Sequence, residues 1–261
     1  MERNERQASL GFWLFRHRGY MPAFFAMLFL PASEHFRLLG MNHQQQIQWE
    51  LFCLGISLLG LTLRILTVAF ISEASSGRER SRPQAEQLNT TGIYSLIRHP
   101  LYLGNSIIWL GVASTLHLWW LSFSFMLISL VYHRLIIYAE ENYLRSRFGA
   151  VYIEWANKTP AFIPAIHNWA APSLPFSMAM VLRREYSGLF QIIAAFALIN
   201  AGLNYVMQGV WNMDSIFQNL LLGTTLICAV IWFVVKRTDW LPAPVRRRND
   251  KDLQSREDYP Q

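Results

Sequence analysis

Charge is scarce in this chain: of 261 residues only 15% are Asp, Glu, Lys or Arg, against 52% hydrophobic. A soluble domain carries about 25% charged residues, so the shortage argues for a membrane protein. Cysteine is nearly absent too. Cys53 and Cys228 each sit in an apolar run without a His or Cys at ligand spacing, which excludes a disulfide framework and a thiolate metal site and leaves both as small core residues. No metal ligand set is expected. The formal net charge is +6, but no basic stripe interleaved with aromatics exists to bind nucleic acid. No small-residue cleavage site follows Arg3, Arg6, Arg16 and Arg18, so the first apolar stretch is expected to persist as a helix.

What is present is a series of long apolar runs. Residues 19–36 form the weakest, with an apolar centre shorter than the roughly 18 residues a crossing needs. Residues 51–71 make a full span interrupted by Arg64, followed by a polar loop. Residues 101–117 and 118–138 are two spans with almost nothing between them, which predicts a tight antiparallel hairpin. Residues 139–157 turn amphipathic, with Tyr143, Leu144, Phe148, Tyr152 and Trp155 at helical spacing against Glu140, Glu141, Arg145, Arg147 and Glu154. This predicts a helix that leaves the bilayer at Ala139 and lies along its surface. A connector through Pro160, Pro164, Pro172 and Pro175 leads to spans over 186–207 and 215–235.

The expected fold is therefore all-α: a polytopic membrane helical bundle of about six spans, with a cytoplasmic surface helix after a tight helical hairpin. Four regions follow: N-terminal spans and a loop over 1–87, a motif region over 88–164, a C-terminal pair of spans over 165–237, and a disordered charged tail over 238–261. Lys and Arg number four before the first span, one after it, then four, none, five, none and seven in successive loops and the tail. That alternation predicts both termini in the cytoplasm. It also puts residues 92–100 and 139–164 on one face, so two polar segments separated by the hairpin meet.

The segment Gly92 to Gly104, GIYSLIRHPLYLG, is a polar island between apolar runs. Pro100 suits a helix start, where its missing N–H costs nothing, and the free amides of that first turn favour an anionic group such as a carboxylate. Gly104, one turn later, allows a ligand or a neighbouring helix close approach. Arg98 and His99 add donors, while Glu140 and Glu141 supply negative charge for a cation or a ribose hydroxyl. A ligand with a carboxylate, an ammonium, a ribose and a sulfonium matches this mixture, and S-adenosylmethionine is one.

Gly92, Tyr94, Arg98-His99-Pro100, Tyr102 and Gly104, then Glu140-Glu141, Leu144, Phe148-Gly149, Tyr152 and Pro160, together resemble the isoprenylcysteine carboxyl methyltransferase and phospholipid methyltransferase superfamily over residues 88–164. The resemblance implies an S-adenosylmethionine pocket lined by Tyr94, Arg98, His99, Pro100, Tyr102, Gly104, Glu140 and Glu141, and a lipid or lipidated acceptor entering from the bilayer. Glu141, Arg134 and Lys158 are the expected catalytic positions. Lys158 stands where the family commonly has arginine and Trp155 where it has tyrosine. A lysine lacks the two-toothed carboxylate grip of arginine.

Simpler structural roles compete with several of these. One glutamate is expected in the pocket, with preference for Glu141, and the other on the helix surface. Arg64 either snorkels or contacts an anionic acceptor. Arg134, beside His133, pairs with a glutamate or binds acceptor. Asn200 and Asn204 are expected to form interhelical hydrogen bonds, and His117, Trp119 and Trp120 to mark the opposite interface. An anionic oxygen acceptor needs no base; an amine would call on His99 or a glutamate. Two other functions fit less of the pattern: a lipid or sterol reductase using NADPH, and a non-enzymatic membrane scaffold.

Overall fold

A computed structural model describes residues 42–71 and 87–237, together with Trp13. The expected first span, the loop over 72–86 and the charged tail beyond residue 237 lie outside the described residues. Among the described residues six α-helices follow in order: α1 (His43–Val68), α2 (Ile93–Leu96), α3 (Pro100–Ser114), α4 (Trp119–Lys158), α5 (Met178–Gln208) and α6 (Ser215–Arg237), with one 3-10 turn at Ile166–Asn168 in the connector before α5. Four of them, α1, α4, α5 and α6, are long and apolar enough to cross a membrane. The protein is an integral membrane helical bundle.

Local chemistry sets the helix ends. The Asn42 side chain accepts from the Gln45 amide at 2.8 Å while Gln45 Oε1 accepts from the Asn42 amide, a reciprocal cap that starts α1 earlier than the apolar run at 51 suggests. Pro100 occupies the first turn of α3, as expected. Ser177 caps α5, and its own amide donates to the Ala69 carbonyl at 2.8 Å, tying the end of the connector to the end of α1.

Two expectations need correction. The third run forms a helix of only 15 residues ending at Ser114, about 22 Å long and short of the ~30 Å hydrocarbon layer. The chain then turns through His117, at φ 56°, whose ring stacks on Trp49 at 4.4 Å. Nor does the helix end at Ala139. α4 continues straight through the glutamates and breaks only at Gly149, where φ is 53° and ψ is −128°. That backbone conformation is open to glycine and strained for a side chain, so the change of direction is encoded ten residues later than the change in hydropathy.

The core is a seam between α1 and α3 built on small residues. A Cβ placed on Gly60 would stand 2.6 Å from the Gly104 carbonyl oxygen, and one on Gly111 would collide with the Ser57 hydroxyl. Backbones in such contact gain dispersion energy over a long interface where lipid offers no hydrophobic drive. Ser57 adds a hydrogen bond to the Ile108 carbonyl at 2.9 Å. Against the other side of α1, α5 presents Ile192, Ile193, Phe196 and Ala197 at helical spacing, all nearly sealed. α6 packs on α5 through Phe217 and leaves Leu222, Leu226, Val230 and Phe233 exposed, a face suited to lipid tails.

Polar groups gather at both ends of the bundle. At the end away from the motif, Glu50, fully buried, takes hydrogen bonds from Gln46 at 2.7 Å and Asn200 at 2.9 Å. The same Asn200 amide also donates to Asp214 at 2.8 Å, and His43 reaches Asp214 at 2.8 Å. The predicted interhelical bond is thus present for Asn200, across to Glu50 of α1, while Asn204 donates to Asp214, just before α6, at 3.2 Å.

Candidate functional site

At the motif end, three stretches converge. The connector after α4 runs back across the island: the Arg98 amide donates to the Pro160 carbonyl, the Ala165 amide to Leu96, and the Gly92 amide to Ala170, each at 2.9 Å. Trp155 belongs to this scaffold, its indole N–H donating to the Tyr94 carbonyl at 3.2 Å. The hairpin brings α3 beside α4, so the first turn of α3 faces the glutamates.

Arg98 and Glu141 form the central contact. The Arg98 Nε lies 2.9 Å from Glu141 Oε1, while its Nη1 donates to the carbonyls of Ala156 at 2.6 Å and Thr159 at 3.1 Å. One side chain thereby holds a carboxylate and the carbonyl end of α4. His99 Nε2 stands 3.0 Å from the same Glu141 oxygen, and its Nδ1 is 3.9 Å from Glu140. Glu140 accepts from the Tyr102 hydroxyl at 2.9 Å. It keeps spare lone pairs and 29% side-chain exposure.

The structure thus brings together Arg98, His99, Tyr102, Glu140 and Glu141, with Pro100 at the helix start. Tyr94 lies nearby, its phenol under the influence of Glu140, Arg184 and Arg64, and burial pushes its pKa above the ordinary tyrosine value so that it stays a hydrogen-bond donor. Glu141 is engaged by both Arg98 and His99, and Glu140 is the freer.

Other residues stand elsewhere. Gly104 meets Arg64 and Gly60, a Cβ there falling 2.6 Å from Arg64 Cγ, so its smallness serves helix packing. Arg134 is exposed, and the expected pairing with a glutamate is absent among the described contacts. Lys158 points away, its side chain 71% exposed and paired with Glu154 at 2.8 Å. Neither Arg134 nor Lys158 joins the cluster.

Arg64 has a partner the sequence reading did not name. Its Nε and Nη2 grip both oxygens of Glu185 at 2.9 and 2.8 Å, and Nη1 donates to Asn105 at 2.6 Å. An arginine inside a span demands a carboxylate. That rule applied to Glu185, an acid at the start of the next apolar run on the same side, is the signal that could have found it. Tyr152 carries another signal: it is 1% exposed, its hydroxyl has no hydrogen-bond partner among the described residues, and the charges of Glu141 and Arg98 act on it.

These groups fit S-adenosylmethionine. The free lone pairs of Glu140 suit an ammonium or a ribose hydroxyl, and the α3 amides suit a carboxylate. The partnerless Tyr152 hydroxyl awaits a polar contact, since a buried hydroxyl without one is costly. Among the described residues no group of three or more His, Cys, Asp or Glu side chains is disposed to hold a metal ion.

Residues 47–151 match the phospholipid methyltransferase family. The chain is 32% identical over 119 residues to the protein-S-isoprenylcysteine O-methyltransferase of Schizosaccharomyces pombe, covering 45% of this chain and 50% of that enzyme. It is 31% identical over 128 residues to the nickel-cobalt-cadmium resistance protein of Alcaligenes xylosoxydans xylosoxydans, covering 48% of this chain and 59% of that protein. With the cobalt-zinc-cadmium resistance protein of Cupriavidus metallidurans it shares 26% identity over 153 residues, 56% of this chain and 68% of that one. The chain therefore spans from half to about two-thirds of the length of these relatives. No solved structure matches it.

Proposed function

We propose that the chain, whose residues 47–151 match the phospholipid methyltransferase family and which resembles an isoprenylcysteine O-methyltransferase over 119 residues, takes S-adenosylmethionine as methyl donor and serves a lipid-linked acceptor that enters from the bilayer. The observation that carries this reading is Glu140, fixed by Tyr102 at 2.9 Å yet left with free lone pairs, at the same end of the bundle as the buried Tyr152 hydroxyl, which has no hydrogen-bond partner among the described residues and feels the charges of both glutamates. Bound S-adenosylmethionine supplies an electrophilic methyl carbon for in-line displacement. The protein supplies position. Glu140 and Tyr152 orient the donor, the first turn of α3 receives its carboxylate, and the Arg98–Glu141–His99 cluster locks the connector against the hairpin so that the site keeps one geometry.

The motif end faces the cytoplasm in this reading, as the distribution of Lys and Arg requires. The acceptor carries a carboxylate, an amine or a phosphate on a membrane anchor. Titration of detergent-solubilised protein with S-adenosylhomocysteine tests the donor site: saturable binding is expected, and no heat of binding at high micromolar ligand would defeat the proposal. Incubating membranes with a radiolabelled methyl donor and identifying the labelled lipid names the acceptor.

A further inference from the structure

His133 is a buried polar side chain that the donor site does not use. It lies on α4, seven residues before Glu140, and is 4% exposed. Its ring sits 5.2 Å from that of Tyr102, which stacks in turn on His99 at 5.8 Å, so three rings lead from the glutamate pair into the bundle. Phe162 of the connector approaches from the side, at 6.5 Å.

The hydrogen bonds around the ring select a tautomer. His133 Nδ1 is 3.2 Å from both the Ser106 and Ser129 hydroxyls. Ser106 has one proton, and at 3.0 Å from the Tyr102 carbonyl, which can only accept, that proton is spent. The Ser129 hydroxyl lies 3.2 Å from the Ser106 oxygen and can place its own proton there; with both serine protons so directed, each oxygen offers His133 lone pairs and Nδ1 carries the hydrogen. The backbone carbonyl of Ser129 supplies a further acceptor for it. Nε2 is left with a bare lone pair and makes no hydrogen bond among the described residues.

We propose that His133 is a catalytic residue whose Nε2 removes the proton from an acceptor that arrives as an ammonium group on a lipid. This rests on the methyl-transfer reading above and deepens it. The other imidazole is committed, His99 Nε2 being held 3.0 Å from Glu141, and Glu141 is itself held by Arg98. Proton transfer from the ammonium nitrogen to Nε2 frees the nitrogen lone pair. That pair bonds to the methyl carbon as the carbon–sulfur pair returns to sulfur, leaving an N-methylammonium lipid, a thioether and an imidazolium that loses its proton to water. A carboxylate or phosphate oxygen would need none of this.

The groups packed against the ring are Tyr102 of α3, Tyr132 of α4 and the uncharged Phe162 of the connector; behind Tyr102 stand His99 and Glu140, and behind His99 stands Glu141. The test uses the full chain in vesicles that contain either phosphatidylethanolamine or phosphatidic acid as the added lipid, with radiolabelled donor. Label is expected in the amine lipid. His133→Gln, which keeps a donor for Ser106 but no base, is expected to bind S-adenosylhomocysteine within about twofold of wild type and to lose about 100-fold in kcat. Its rate should recover at alkaline pH, where the amine loses its proton unaided. Ser106→Ala, should His133→Gln fold poorly, is expected to lower kcat about tenfold through loss of the tautomer lock, with KM unchanged. Wild-type rate and pH profile in both variants, or label confined to the phosphate lipid, would overturn the assignment. Absence of S-adenosylhomocysteine binding by the wild type would instead defeat the methyl-transfer reading itself.

Discussion

Arg98 and Glu141 join across the α3–α4 hairpin at 2.9 Å, and the same guanidinium closes on the carbonyls of Ala156 and Thr159. Arg98→Ala removes charge-assisted bonds worth about 1.5–3 kcal/mol in a partly buried setting. Lower thermal stability in detergent and weaker S-adenosylhomocysteine binding are both expected. Arg98→Lys should recover little of either, because an ammonium cannot hold a carboxylate and two carbonyls in one plane.

Glu140 and Glu141 should separate by experiment. Glu140→Gln leaves the Arg98 and His99 contacts in place, so an unchanged melting temperature with ligand binding weakened about tenfold or more is expected in calorimetric titration. Glu141→Gln strips the charge partner of Arg98 and should lower both stability and binding.

Arg64→Ala abandons Glu185, which is 3% exposed, without a cation. Loss of one member of a buried pair costs about 3–5 kcal/mol. A large drop in the detergent unfolding midpoint is expected, and Glu185→Gln in the same background should restore part of it by removing the stranded charge.

Gly60→Ala drives a methyl to 2.6 Å from the Gly104 carbonyl oxygen and 2.8 Å from the Ile108 amide nitrogen, both backbone atoms that no rotamer can move. Separation of α1 and α3 at a cost of about 1–3 kcal/mol is expected. Gly202→Ala, with open space around it, is the control and should leave the midpoint within about 0.5 kcal/mol of wild type.

Asp214 titrates at the opposite end. Burial raises its pKa, but hydrogen bonds from Asn200 and Asn204 and the charge of His43 outweigh this and hold it below the ordinary 3.8. A depressed folded pKa gives stability that is complete above 3.8 and lost as pH falls through the lower folded value. Melting curves from neutral to strongly acidic pH should show that loss in wild type and a flatter profile in Asp214→Asn.

Sequence alone determined the membrane class, the order of helices, the hairpin, the start of α3 at Pro100 and the meeting of the island with the glutamates. These depend on hydropathy, on helical period and on alternating loop charge, all properties of short stretches. The bend at Gly149 escaped because amphipathicity begins at Ala139 while the backbone breaks only where glycine permits it. Tertiary structure decided the pairings: Arg64 with Glu185 across 121 positions, Glu50 with Asn200 across 150, Arg98 with Glu141 in preference to Glu140, and Gly104 against Arg64 and Gly60. Where water is excluded a charge takes the partner that interhelical distance provides, and that distance is set by how helices pack, which no periodicity along one chain segment encodes.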